Sequence, residues 1–399
     1  MAFTGLEPNT PAYRGMLLAL FAGGVATFSQ LYAVQGLLPV IAGYFHITSS
    51  HTALAVSSAT LGLALAVTPW AIISDRVGRR KVISIALISS VALGLLSCLS
   101  PSFEFLVAIR FFEGIALAGV PGSALAFLVD EVNPRAVAVA SGTYISGTTL
   151  GGLAGRLVAS FVADPAGWRW GVAAVSIMAG LATLFFLFKA PSAQGFDPIH
   201  GQNLRSIAKK FAHALHGKMA LVYAQGFLLM GGFVAVYNYL AFRLEAPPYL
   251  IPASWAALVF LAYLSGTYTS VASSKLVAKA GRRNTLRISI LTSALGLLLT
   301  LAGNLVVIIS GLLIFTAGFF AAHAVASGWV PVLATGARAQ ASSLYNLFYY
   351  VGSSLLGWLI GIPFMHYGWA SVVLCVGALQ VVALIMASLL SKRDPSLRG

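Results

Sequence analysis

Asp75-Arg-Val-Gly-Arg-Arg-Lys81 and Ala278-Lys-Ala-Gly-Arg-Arg-Asn284 are two basic turns, half a chain apart, and each joins long apolar stretches. Both place a glycine directly before paired arginines. Reading outward from either turn, apolar blocks of helix length recur, six in each half of the 399 residues. A bilayer core about 30 Å thick needs roughly 20 apolar residues to be crossed by a helix. Backbone groups in lipid must also pair within their own segment, so such blocks read as spanning helices. The expected spans lie near 15–43, 52–74, 82–99, 104–129, 137–162, 169–189, 219–242, 253–276, 285–303, 305–329, 339–363 and 368–391.

The echo continues beyond the basic turns. Gly147 and Gly152 in the fifth span lead to Gly167-Trp168, and Gly352 and Gly357 in the eleventh lead to Gly368-Trp369. The fold expected is therefore an all-α membrane protein, its twelve transmembrane helices forming two pseudo-symmetric six-helix bundles. Residues 1–190 form the first bundle, 191–217 a linker and 218–399 the second. Within the linker, residues 204–215 alternate basic and apolar side chains, which suits a helix lying on the membrane or a solvated connector.

Composition agrees, with 59% hydrophobic and 9% charged residues. In a soluble chain the net charge of +14 would suggest nucleic acid. Here the basic residues fall in alternate loops, which is a topology signal, and no nucleic-acid partner is expected. With both termini cytoplasmic, that face takes every lysine and arginine except Arg169 and Arg243 on the far side and Arg110 and Arg156 within spans. The first apolar block is too long for a signal-peptide core and is read as a retained helix. Cys98 and Cys375 both sit in apolar stretches and give neither a disulfide framework nor a metal site.

With those residues in place, the chain resembles the major facilitator superfamily of transporters over nearly its whole length. Ala71-x-Ile73-Ser-Asp75-Arg-x-Gly78-Arg-Arg-Lys81 is similar to the family's loop motif, with Ala71 where glycine is usual. Arg110-x-x-Glu113-Gly114 resembles a second motif, in which Gln is commoner than Glu. Gly147-Thr-x-x-Gly151-Gly152 resembles the antiporter motif, with Thr148 replacing proline. Four further segments resemble the YnfM-type subgroup, near the arabinose and drug efflux permeases. They are Gly152-Leu-Ala-Gly-Arg156-Leu, Gly226-Phe-Leu-Leu-Met-Gly, Ala317-Gly-Phe-Phe-Ala-Ala-His323 and Gln340-Ala-Ser-Ser-Leu-Tyr345.

Charges inside spans each cost about 2.5–3.5 kcal/mol at mid-helix, so Arg110, Glu113, Arg156 and His323 are the first candidates for proton coupling or substrate contact. Arg110 and Glu113 are three residues apart on one face and can neutralise each other. Either Glu113 exchanges a proton while Arg110 tunes it, or the pair balances itself at a helix interface. Arg156 could bind an anion bidentately or snorkel to the outer interface. His323, among small residues, could change protonation or simply hydrogen-bond between helices.

The loop resemblance implies that Asp75, Arg76, Gly78, Arg79 and Arg80 gate one side, with Asp130 or Glu131 as partner for Arg79. The alternative is a positive-inside cluster without a lock. In this family helices 1, 4, 7 and 10 line the path, which points to Tyr32 and Gln35, and to Asn238 with Tyr237 or Tyr239. Tyr345, Asn346 and Tyr349 share one face of the eleventh span. Aromatic residues at helical spacing also serve packing. Gly147, Gly151, Gly152 and Gly155 are read as helix-packing positions.

There is no Gly-x4-Gly-Lys-Ser/Thr phosphate loop, so ATP hydrolysis is not the expected drive. No catalytic residue and no cofactor are assigned. The expected drive is an ion gradient, that of protons. One charge moved through 100 mV releases about 2.3 kcal/mol, enough to sustain a solute ratio of roughly 40. Intramembrane proteolysis is disfavoured, since every aspartate lies at a helix end or in a loop and His-Glu-x-x-His does not occur. A helical receptor fits poorly with duplicated halves. The sequence thus points to a monomeric proton-coupled efflux antiporter of a bacterial inner membrane, acting on a small organic solute. Symport or uniport uptake of an organic anion or a sugar remains open.

Overall fold

Gly78 and Gly281 carry the two basic turns in a conformation that side-chain-bearing residues rarely adopt, with φ of 110° and 77°. Each lets one long helix end and the next begin with no loop between. The computed structural model describes residues 5–8, 10–198, 204–215, 217–334 and 337–390. The basic residues Lys392, Arg393 and Arg398 of the topology argument lie outside them, as does part of the 191–217 linker.

In chain order the helices are α1 Pro11–Leu31, α2 Leu38–Phe45, α3 Ser49–Val77, α4 Arg79–Ser97, α5 Phe103–Leu117, α6 Gly119–Glu131, α7 Val137–Ala166 and α8 Trp168–Lys189. They continue as α9 Leu204–Ala214, α10 Met219–Glu245, α11 Ala253–Ala256, α12 Tyr263–Leu299, α13 Leu305–Leu333, α14 Arg338–Leu359, α15 Gly361–Tyr367 and α16 Trp369–Leu389. Among the described residues there is no strand, only a bridge between Leu6 and Val132. Eleven continuous apolar stretches are long enough to span a membrane, and Ala253–Leu299 counts as one of them. That stretch breaks at Gly281, where φ and ψ leave the helical region, so the expected twelve spans are present.

Four expected spans prove to be interrupted, the eighth by a 3-10 segment, Ala257–Ala262, between α11 and α12. The first unwinds after Leu31 and resumes at Leu38 through a short 3-10 segment, Gln35–Leu37. The fourth is divided at Ala118 and the eleventh at Ile360. The amphipathic linker segment forms α9, whose last turn meets α10 through Tyr223, its hydroxyl donating to the Ala214 carbonyl at 2.8 Å.

Two compact units divide the chain. The first comprises residues 1–46, 58–201 and 252–257, and the second 47–57, 202–251 and 258–399. In the first unit, α1 lies directly on α7. A methyl group added at Gly147, Gly151 or Gly155 would run into the backbone of Phe21, Val25 or Ser29 respectively. Glycine at every fourth residue lets these backbones approach closely where lipid supplies no hydrophobic drive. Gly152 is off this seam: its nearest neighbour is the guanidinium of Arg156, so it is not a packing glycine. In the second unit, Gly352 meets the backbone of Phe227 between α14 and α10 in the same way. That unit's core is aromatic: Phe233 stacks on Phe319 with ring centres 3.9 Å apart and lies against Tyr237 and Phe315.

Arg169 and Arg243 cap helix ends, whose last carbonyls lack partners within the helix. Arg169 donates to the carbonyls of Cys98 and Ser100 after α4. Arg243 donates to those of Thr300 and Ala302 after α12. Large apolar side chains such as Phe188 and Leu374 project outward, as a lipid-facing surface requires.

Candidate functional site

The break in the first span organises the centre of the first unit. Unwinding after Leu31 frees the last carbonyls of α1, and a buried cation is a favourable partner for a helix C-terminus. Arg110 of α5 supplies it, donating from Nη1 to the Gln30 carbonyl at 3.0 Å and from Nη2 to that of Leu31 at 2.6 Å. Nη1 also donates to Glu113 Oε2 at 2.7 Å. Both side chains are 1% exposed, so neither charge is relieved by water. Arg110 thus meets two backbone carbonyls and one carboxylate.

Around Glu113 lies a polar cluster that no local sequence pattern marks. A point one carbon bond from Gly94 Cα lies 2.6 Å from Gln30 Oε1, 2.7 Å from Ser176 Oγ and 3.4 Å from Glu113 Oε1. Gln30 Nε2 donates to Ser90 Oγ at 3.2 Å, while its Oε1 has no donor. Four spans thus converge there, through Gln30, Ser90, Glu113 and Ser176, and glycine 94 leaves the room between them.

Arg156 of α7 grips the other side of the break. Its guanidinium lies over the Tyr32 ring at 4.3 Å, and its Nε donates to Gln35 Oε1 at 2.8 Å. It also donates to the carbonyl of Gly152. At 2% exposure Arg156 does not snorkel to an interface. Tyr32, Gln35 and Arg156 therefore belong to one cluster, adjoining the Arg110–Glu113 pair along the same unwound segment.

Arg79 at the start of α4 contacts Asp75 and Ser74 and reaches Asp130 through Nε at 3.1 Å. Of the two acids offered as its partner, Asp130 is correct and Glu131 is not. Successive residues on a helix point about 100° apart, and Glu131 turns instead to the linker. Its carboxylate accepts the backbone amides of Gln194 and Gly195, at 2.9 and 3.0 Å. Phe196, next in line, sits over Arg79 with 5.9 Å from guanidinium carbon to ring centre. Arg80 donates to the Leu187 carbonyl at 3.1 Å, and Arg76 is exposed.

In the second unit, His323 Nδ1 lies 2.9 Å from the Tyr345 hydroxyl, beside the ring of Tyr349. Tyr237 is hydrogen-bonded to Thr316 at 2.7 Å. Asn238 and Tyr239 both donate to the Gly357 carbonyl, securing α10 on α14. Tyr345 is buried and Asn346 is exposed.

The sequence profile of the Major Facilitator Superfamily matches residues 20–263. The inner membrane transport protein YnfM of Escherichia coli is 36% identical over 97% of this chain and 93% of its own length. The MFS-type transporter YybF of Bacillus subtilis is 32% identical over 98% and 96%. A POT family transporter solved with 5-aminolevulinic acid shares the fold at a TM-score of 0.78 and 14% identity, covering 100% of this chain and 99% of its own. A D-xylose-proton symporter does so at 0.74 and 16%, covering 96% and 98%. Duplicated turns, paired six-span halves and these matches agree, and the chain belongs to the major facilitator superfamily, as an integral membrane transporter.

Proposed function

We propose that this transporter exports a small organic solute in exchange for protons, with Glu113 as the proton-exchanging group. The observation that carries the proposal is the Arg110–Glu113 pair, wholly buried and fixed on the unwound segment of the first span. A buried carboxylate held by one arginine can be neutralised by a proton, and the bonds from Arg110 to Gln30 and Leu31 then carry that change into the break. His323, bonded to Tyr345, is the corresponding ionisable group of the second unit. Arg156, Tyr32 and Gln35 offer a cation, a ring and an amide to a solute. In the second unit Tyr349, beside His323, offers a ring to the solute, while Tyr237, Asn238 and Tyr239 are buried in helix packing. Asp75, Arg79 and Asp130 act as the gate. A monomer in a bacterial inner membrane with both termini cytoplasmic completes the proposal. It is supported by the similarity to the inner membrane transport protein YnfM and by the distribution of basic residues.

One observation favours symport or uniport instead. Thr148 stands where the antiporter motif has proline, and α7 runs unbroken through it. The test is flux in proteoliposomes loaded with a pH-sensitive dye, after a thermal-shift screen for solutes. Solute-dependent proton movement is expected from the parent protein, and none from Glu113→Gln. The single change strands the buried Arg110 charge, which costs about 3–5 kcal/mol, so the neutral double variant Arg110→Gln/Glu113→Gln is run beside it. Proton movement that persists in the folded double variant would remove Glu113 from the mechanism.

A further inference from the structure

The second basic turn is unlike the first in one chemical respect. In the first, Asp75 and Asp130 neutralise Arg79. In the second, Ala278 stands at the place of Asp75, and Lys275, Lys279, Arg283 and Arg287 have no carboxylate within ion-pair range among the described residues. From residue 218 onward the sequence holds only two acids. Glu245 ends α10, and Asp394 lies outside the described residues. Arg283 donates to the Ser388 carbonyl, yet its Nε and that of Arg287 are buried without a partner.

Beside this turn lies an open groove of about 330 Å³ between the two arms of α12 and α13. Thr269, Ala272, Ser273 and Leu276 line one wall, and Ala317 and Ala321 the floor. The wall positions follow helical spacing i, i+3, i+4, i+7, and Lys279 continues the same stripe by one turn. Ile288 on the opposite wall directly follows Arg287. The serine and threonine hydroxyls are turned inward to helix carbonyls, as with Thr269 to Ala317 and Ser273 to Ser270, which leaves an apolar lining. A trough for an alkyl chain thus runs into a cluster of basic side chains, with Lys279 and Arg287 nearest its walls, at the level where a span ends. Basic pockets between spans attract acidic lipid headgroups.

We propose that this groove is a specific site for one anionic phospholipid. An acyl chain lies along Leu276 and Ala321, and the phosphate is held by Lys279 and Arg287. The lipid supplies the negative charge that the second repeat lacks at the position of Asp75.

The test is native mass spectrometry of the full chain in detergent, titrated with phosphatidylglycerol or with phosphatidylcholine, each variant first checked for unaltered melting. Saturable binding of one or two phosphatidylglycerol molecules is expected, at least tenfold tighter than phosphatidylcholine. Lys279→Gln/Arg287→Gln should lose this preference. Ala321→Phe fills the groove with every cation retained and should weaken phosphatidylglycerol at least tenfold. Equal binding of the two lipids would overturn the site, as would unchanged preference in both variants. Full competition by glycerol phosphate would overturn the role of the groove.

Discussion

Glu113 and Gln30 place two oxygens around the space beside Gly94, and the Gln30 oxygen has no hydrogen to accept. A protonated Glu113 could donate into that space, whereas an ionised one can only accept. Gly94→Ala puts a methyl group within 2.6 Å of Gln30 Oε1 and 2.7 Å of Ser176 Oγ. Overpacking of that kind costs about 1–3 kcal/mol. The variant should melt lower in detergent by that equivalent and lose at least tenfold in solute-dependent proton flux. Normal flux would show that the space is not used. Arg156→Lys separates charge from geometry. Lysine keeps the cation but cannot both stack on Tyr32 and donate in a planar fork to Gln35. Transport should fall at least tenfold with melting changed little, read by vesicle flux and thermal shift. The sequence marked Arg110, Glu113, Arg156 and His323 because a charge in a span is costly. It did not mark Gln30, Ser90, Ser176 or Thr316, since neutral polar residues are common in spans. Their importance lies in convergence from separate helices, which no local pattern encodes.

At the scale of elements, the Gly147, Gly151 and Gly155 seam was legible because spacing alone reveals it. Gly151→Leu should force α1 off α7. The expected result is loss of the folded protein in detergent, read as aggregation in size-exclusion chromatography, and a monodisperse transporter would refute the seam. The breaks at Leu31, Ala118 and Ile360 were not legible, because apolar composition runs through them and tertiary partners make the interruption tolerable. At Leu31 the partner is Arg110, 79 residues away. Asp130 and Glu131 were indistinguishable in sequence for a related reason. Which neighbour each acid meets depends on a linker backbone that carries no motif. Glu131 holds that linker by two amides, so Glu131→Ala should release residues 194–196. Their amide hydrogen exchange should accelerate at least tenfold, while the Arg79–Asp130 contact persists. Unchanged protection would show that Phe196 packing alone retains the strap.

For the whole molecule, the question is what a turnover consumes. The sequence holds no phosphate loop, and the proposal places one proton-exchanging group in each unit, the buried Glu113 in one and the part-buried His323 in the other. If one proton crosses for each neutral solute moved outward, every cycle carries one net charge inward. Membrane potential and pH difference must then be interchangeable. A tenfold proton ratio is worth about 1.36 kcal/mol and 100 mV about 2.3 kcal/mol, so one pH unit should match about 59 mV. Vesicles holding only a potassium-diffusion potential of that size should therefore drive a neutral solute to the same steady ratio as vesicles holding only one pH unit. A protonophore should abolish both. If two protons cross, the two drives still match but the ratio rises from about 10 to about 100, which measures the stoichiometry. If accumulation follows neither gradient and halts at equal concentrations, the protein is a uniporter. The Glu113 carboxylate would then be an internal brace for the break in the first span.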